Sequence, residues 1–411
     1  MFWKKKRTYL DFAAGFCHAG AGYSLAKAGV AGNPSSPHEE GRQAKKMLED
    51  ARTDIARLLE VQSDDVIFTS GATEANALAI LGIAKAGDHA LYLPSAHASI
   101  VENMKLLSER GVGIETLPIK GTRVDCEKLK ELLRPNTRLV AMDAVCGETG
   151  VIWNTREVAQ ILREHNGKSF FPLARGTAAT RAKNPFPIVF HVDASQAPFT
   201  EKITRAHFSA DMLTLDGSKV GPPRLGVFGE AGEMRGIGVL IAHRTIPLKP
   251  LYRGGGQERG LRSGSEAPEL ASRFAACLRQ AAHNREAFCI SAKRMRAELI
   301  KTITSTIPNV FINEGSPAGG QTPHILNISL PDRDTDYLVA LLDEAGFAVS
   351  TRSACETDSE EGSRAVLALT GDLERAKSTL RISWSPRVNG SELIKFAKAL
   401  TVAVKFVDNK D

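Results

Sequence analysis

Met212-Leu213-Thr214-Leu215-Asp216-Gly217-Ser218-Lys219 sets the frame for the whole chain. Residues 212–215 read as a short buried strand. Asp216-Gly217-Ser218 is a turn, and Gly221-Pro222-Pro223 keeps Lys219 from continuing into a helix. A lysine just past the end of a buried strand can sit in a cleft. Burial there lowers an amine's pKa, and a neutral amine can bind an aldehyde as a Schiff base. Taken alone, Lys219 reads as a solvated loop lysine; its companions elsewhere in the chain reverse that.

Working outward, the same strand-and-turn grammar recurs. Val66-Ile67-Phe68-Thr69 is a strand, broken by Ser70-Gly71-Ala72-Thr73-Glu74, which opens a helix over 75–84. A strand over 90–93 ends at His97, one over 139–144 ends at Cys146-Gly147-Glu148, and one over 188–193 is followed by Ala194-Ser195-Gln196. Helical stretches separate them, notably 156–164. Apolar strands alternating with helices predict an α/β domain with a mostly parallel sheet and helices on both faces. Ligands of such sheets bind at the carboxyl ends of strands, where His97, Glu148, Asp193, Gln196 and Lys219 all fall. The turn at 70–74 is also an anion site in form, because free N–H groups and the helix dipole converge there. It is neither a Walker loop nor a G-x-G-x-x-G turn, and many turns of its kind bind nothing.

Toward the N-terminus, Ser36, Pro37 and Glu39 spell a helix start, with Ser36 as N-cap and Pro37 at the first position. The helix is expected to run to about Glu60, burying Ala44, Met47, Leu48, Ala51, Ile55, Leu58 and Leu59 on one face. Beyond the glycine-rich loop at 253–260, the pattern changes near Pro268 to a long helix over 270–299 and then to shorter strands and helices. That change marks a second, smaller domain of α+β type.

Composition narrows the function. The 411 residues carry 53 basic and 47 acidic side chains, a net charge of +6. Only Lys4-Lys5-Lys6-Arg7 is densely basic, and no aromatic-interleaved patch follows it, so no nucleic-acid role is expected. No apolar stretch reaches spanning length, and the N-terminal charges have no apolar segment behind them, so neither a membrane role nor secretion is expected. The six cysteines are far apart, with no C-x-x-C, which suits neither a disulfide framework nor zinc and points to the reducing cytosol. No metal site is expected.

A phosphate-ready turn, a strand-end aspartate, a histidine and a lysine together point to pyridoxal 5′-phosphate. The turn at Ala72-Thr73 would hold the phosphate, and Asp193 would keep the ring nitrogen protonated. His97 would stack on the ring or shuttle protons, and Lys219 would bind the aldehyde and move the α-proton. Cys355 is the remaining candidate. It lies in a polar loop three residues after Arg352, which favours an accessible thiolate, although Glu356, Asp358, Glu360 and Glu361 oppose one. The other five cysteines read as structural.

Several stretches together carry a resemblance across nearly the whole chain. They are Tyr9-Leu10-Asp11, Gly32-Asn33-Pro34-Ser35-Ser36, the run from Phe68 to Asn76, Glu148-Thr149-Gly150-Val151, the run from His191 to Gln196, and 254–259. Arg262-Ser263-Gly264, Ser353-Ala354-Cys355 and Leu380-Arg381 complete the set. In order and spacing they resemble the cysteine desulfurases of the class V aminotransferase group. The resemblance implies a PLP-dependent transferase of fold type I acting as a homodimer. Its large cofactor domain would span 15–264, and its small domain would combine 1–14 with 265–411. It also implies that Gln196 bonds the cofactor's phenolic oxygen and that Ser265 reaches the partner subunit's phosphate. Asn33 and Arg381 would hold the carboxylate of L-cysteine, and Cys355 would take its sulfur as a persulfide, leaving alanine. That sulfur would serve iron–sulfur cluster assembly or tRNA thiolation, through an acceptor or scaffold protein.

The pattern also departs from that family. Asp216-Gly217-Ser218-Lys219 replaces Ser-Gly-His-Lys, Cys146-Gly147-Glu148 replaces Asn-Asn-Glu, and Arg352 replaces a glycine. Insertions are expected near 167–185 and 223–236. A carboxylate at 216 would repel a phosphate unless it turned away or met a cation. Two alternatives therefore stand beside the desulfurase: a related PLP lyase or aminotransferase that does not use Cys355, and a scaffold that keeps the fold without the chemistry.

Overall fold

The computed structural model describes residues 8–10, 13, 32–167, 187–221, 234–315, 320–351 and 362–409. Cys355, Arg352 and most of both expected insertions lie outside the described residues.

Helix α1 (Glu39–Leu59) buries Ala44, Leu48, Ala51, Ile55 and Leu59, the face read from the sequence. It starts later than Ser36 and Pro37 predict. The Ser36 N–H bonds the Asn33 carbonyl and the Ser35 N–H bonds Asn33 Oδ1, so this stretch forms a local turn ahead of the helix. His38 caps instead, its Nδ1 accepting the Gly41 N–H at 3.3 Å.

Next come β1 (Val66–Thr69), α2 (Ala72–Leu81), β2 (His89–Tyr92), α3 (Ala98–Glu109), β3 (Gly113–Thr116) and β4 (Thr137–Asp143). After α4 (Thr155–Asn166) follow β5 (Val189–Asp193), β6 (Met212–Asp216) and β7 (Gly238–Ala242). Helix α2 begins three residues before the expected start, because Gly71 serves as its N-cap. These strands form a seven-stranded sheet in the order β1-β7-β6-β5-β4-β2-β3. Every neighbouring pair is parallel except the two made by β7, which runs antiparallel between β1 and β6. Strands β3 and β7 are missing from the sequence reading. Strand β7 is five buried residues long, and a short apolar run such as Gly238–Ala242 has no period of its own to mark it as a strand.

The register decides the site. Asp143 lies opposite Asp193 on β4 and β5, and Asp193 lies opposite Thr214 on β5 and β6. Thr69, Gly238 and Asp216 lie side by side across β1, β7 and β6. A side chain at 238 would stand 2.8 Å from the Gly71 backbone and 2.9 Å from the Leu215 carbonyl. Glycine there lets the ends of β1 and β6 close on each other.

Helix α5 (Pro268–Thr306) has proline in its first turn and runs 39 residues. Its early residues, from Ala271 to Leu278, pack in the apolar cluster of the large sheet. Its later ones, from Ala281 to Ile303, pack in a second cluster with Leu10, Phe199, Leu326, Leu380 and Trp384. That second cluster includes the antiparallel strands β8 (Phe311–Ile312), β9 (Ile325–Ser329) and β10 (Thr379–Ser383). It also holds α6 (Thr335–Glu344) and α8 (Gly390–Asp408), while α7 (Arg364–Thr370) leads back to the large sheet through Ala365. Thr8–Tyr9 pairs in parallel with Phe347–Ala348, which ties the N-terminal segment to this part. Among the described residues no helix is long and apolar enough to cross a membrane.

Candidate active site

The end of β6 turns through Gly217–Lys219 as one turn of tight helix. Asp216 caps that turn, its Oδ1 accepting the Ser218 N–H at 2.7 Å. Its other oxygen accepts the Ala72 N–H at 2.9 Å, at the N-terminus of α2. The sequence expectation was that the Ala72-Thr73 turn is open for a phosphate. In the structure the Ala72 amide of that turn is already bound to a carboxylate, because Gly238 lets β6 approach it. Thr73 is exposed, and Ser218 is half-buried.

Asp193 is buried, and both its oxygens are engaged: Oδ1 accepts the Ser195 N–H at 2.9 Å and Oδ2 accepts Asn76 Nδ2 at 2.7 Å. Asn76, 0% exposed, also donates to Ser99 Oγ at 2.9 Å. Ser99 lies 2.8 Å from His97 Nδ1, and its N–H donates to the same nitrogen at 3.2 Å. His97 thus caps α3 through Nδ1, so the neutral ring carries its proton on Nε2. The ring is open to the cleft on one side yet surrounded by protein on the others. That burial lowers its pKa, and Asp193 and Asp216 only partly offset it; Lys219 and Arg364 lower it further. Asp193, Asp216 and Lys219 therefore all act electrostatically on His97.

Asp143 was not singled out from the sequence. It is fully buried, accepts the His97 N–H at 3.3 Å, and has its pKa pushed well up by burial and then by Asp193. Asn76 was also missed. Its signal was present: a polar residue on the buried Ala72, Ala75, Ala79 face of α2.

Lys219 Nζ donates to the Ala13 carbonyl at 3.0 Å, and Gln196 Nε2 donates to the same oxygen at 3.0 Å. The Ala13 N–H donates to Ser383 Oγ at 2.9 Å, so the N-terminal segment is pinned between β10 and the lysine. Gln196 lies across Gly147: a side chain there would meet Gln196 Nε2 at 3.2 Å. The absence of asparagine at 147 is therefore space that Gln196 fills. The Gly147 carbonyl accepts Arg381 Nη1 at 3.2 Å, and Arg381 is 3% exposed. Glu148 Oε2 accepts the hydroxyl of Ser363, the N-cap of α7, at 2.6 Å. Asn33 is exposed in the turn before α1 and is spent on Ser35. Ser265 is exposed beyond the loop that Glu258 anchors. Of the cysteines, burial pushes the Cys146 thiol up to about 11 and Cys277 up to about 12, so neither is a nucleophile. Cys126, Cys146, Cys277 and Cys289 are all unbridged.

This arrangement, with a lysine, an anchored aspartate and an open histidine at the carboxyl ends of a mostly parallel sheet, defines an α/β enzyme of the fold-type I class. The aminotransferase class-V family matches residues 23–395, and the chain belongs to that family, in its cysteine desulfurase branch. It is 30% identical to cysteine desulfurase IscS 1 of Archaeoglobus fulgidus over 86% of this chain and 84% of that one. Among solved structures, a NifS-like protein superposes with a TM-score of 0.79 at 24% identity, covering 97% of this chain and all of the other (100%), which shows the fold. SspA in complex with cysteine superposes with a TM-score of 0.67 at 25% identity, over 92% and 99% of the two chains.

The family depends on pyridoxal phosphate, and the residues present fit its ring. Asp193 is aimed by two donors, His97 is exposed, and the Lys219 amine donates to the Ala13 carbonyl. At the phosphate end Asp216 is the exception.

Proposed function

We propose that the chain is a pyridoxal phosphate-dependent cysteine desulfurase that converts L-cysteine to L-alanine and passes the sulfur to Cys355. The observation that carries this is the shared neighbourhood of Lys219, Asp193 and His97, with Arg381 buried against the carbonyl of Gly147. When bound, the cofactor supplies an electron sink for the bonding pair at the substrate's α-carbon. Asp193, fixed by Asn76 and Ser195, presents a carboxylate to the ring nitrogen. Lys219, which donates to the Ala13 carbonyl, would hold the cofactor's aldehyde and would move the proton at the α-carbon. His97 offers a neutral ring with its proton on Nε2. Arg381, oriented by Gly147, binds the substrate carboxylate, for which a planar guanidinium is suited.

Cys355 attacks the substrate sulfur as a thiolate. The carbon–sulfur bond breaks, a persulfide forms on Cys355, and the remaining carbon skeleton takes up protons to leave as alanine. The persulfide then passes to an acceptor or iron–sulfur scaffold protein. We read the chain as a homodimer in which Ser265 reaches the partner's phosphate; exposed Leu251 and Tyr252 on the same segment support this. The cysteine spacing supports a cytosolic location.

Alanine and persulfide formation from cysteine tests the reading. Lys219→Ala should abolish the absorbance of lysine-bound cofactor. Cys355→Ala should abolish transferable sulfur; if that variant delivers sulfur unchanged, a lyase that does not need Cys355 is the better description. Asp216, bonded to the Ala72 N–H at the start of α2, favours one other reading, a scaffold without chemistry. Failure of the purified protein to develop the cofactor absorbance with added pyridoxal phosphate would select it.

A further inference from the structure

We infer that Asp216 is an internal anion that occupies the phosphate subsite, and that it makes this chain discriminate weakly between phosphorylated and unphosphorylated forms of its aldehyde cofactor. The inference rests on the cofactor reading above. Its geometry stands on three observations. Asp216 Oδ2 takes the Ala72 N–H, the donor at the start of α2 that a phosphate would use. Asp216 Oδ1 takes the Ser218 N–H, the next amide on the facing turn. Gly238 leaves the space that brings these two turns together, since any side chain there would strike both the Gly71 backbone and the Leu215 carbonyl.

Two anions cannot share those donors without loss. A carboxylate already satisfies the partial positive charge at the helix start, so an arriving phosphate must displace it or sit beside a like charge. Either route lowers the advantage of a phosphorylated ligand, by about tenfold or more for a like charge in near contact. At the ring end, Asn76 and the Ser195 N–H hold Asp193 and the Ala13 carbonyl takes Gln196 and Lys219, so these bonds do not run through Asp216 although its charge is felt at His97. Asp216 thus sets specificity for one end of the ligand.

The test uses the full-length apoprotein with inorganic phosphate alone. The wild-type chain should show little thermal stabilisation by phosphate. Asp216→Ser should be stabilised by several degrees, and so should Asp216→Asn, which keeps an oxygen for the Ala72 N–H while removing the charge and so guards against a mere loss of folding. Equal stabilisation of wild type and both variants would overturn the inference. A second arm titrates pyridoxal and pyridoxal phosphate into each protein. The ratio of their apparent affinities should rise about tenfold or more in Asp216→Asn, and an unchanged ratio would also overturn it. If neither aldehyde develops the lysine-bound absorbance while phosphate still stabilises only the variants, the cofactor reading fails and the assignment of Asp216 stands.

Discussion

Asn76→Ala removes the side chain that aims Asp193. In the structure its amide donates to Asp193 Oδ2 at 2.7 Å and to Ser99 Oγ at 2.9 Å, from a position with no solvent exposure. Water cannot replace either bond without opening the sheet end. A hydrogen bond to a charged group contributes about 1.5–3 kcal/mol and a neutral one about 0.5–1.5 kcal/mol. The expected loss of stability is therefore about 2–4 kcal/mol, read from urea unfolding of the apoprotein followed by tryptophan fluorescence. The same variant should also bind pyridoxal phosphate more weakly, because Asp193 then keeps only the Ser195 N–H on one of its two oxygens. A loss below about 1 kcal/mol, with cofactor binding unchanged, would refute the view that this amide holds the carboxylate in place.

Glu258 gives a second test. It accepts both terminal nitrogens of Arg52, at 2.8 and 2.6 Å, and the Phe68 N–H at 2.8 Å, all in the interior. Glu258→Ala leaves Arg52 with Glu49 at 3.2 Å and the Val66 carbonyl at 2.7 Å, and should cost about 1.5–3 kcal/mol in denaturant unfolding, whereas a cost near zero would show that Glu49 takes over the pairing. Acid stability gives a third. Burial lowers His191 to about 4 and His324 to about 3, so both rings are neutral in the fold, while in the unfolded chain they titrate near 6.5. Stability from these groups is complete above about pH 6.5 and is lost as pH falls toward those folded values. Their ring-proton NMR shifts should stay flat from neutral pH down to about pH 5, and an inflection near 6.5 from either ring would contradict the burial argument.

Much of this is legible in the sequence. The core face of α1 follows from a repeat of three and four residues, and the ends of β2, β4, β5 and β6 follow from where apolar runs meet polar or glycine residues. Asp143 ends the strand next to that of Asp193 and is legible by the same rule. The cap of α1 was misplaced because Ser36 and His38 both offer acceptors. Which one caps depends on whether Asn33 and Ser35 close a turn first, a competition between local hydrogen bonds of similar strength.

Sequence alone nominated residues of reactive type and roughly where each strand ends, because those features depend on neighbours within a few positions. It left open what each of them touches. Asp216 and Ala72 are 144 residues apart, and only the insertion of antiparallel β7 between β1 and β6, with glycine at 238, places a carboxylate on the helix start. The pinning of Lys219 by Ala13 spans 206 residues and likewise needs the N-terminal segment to be stitched to β10 through Ser383. Such contacts are chosen by sheet order and by which side chains leave room, and those are properties of the packed molecule.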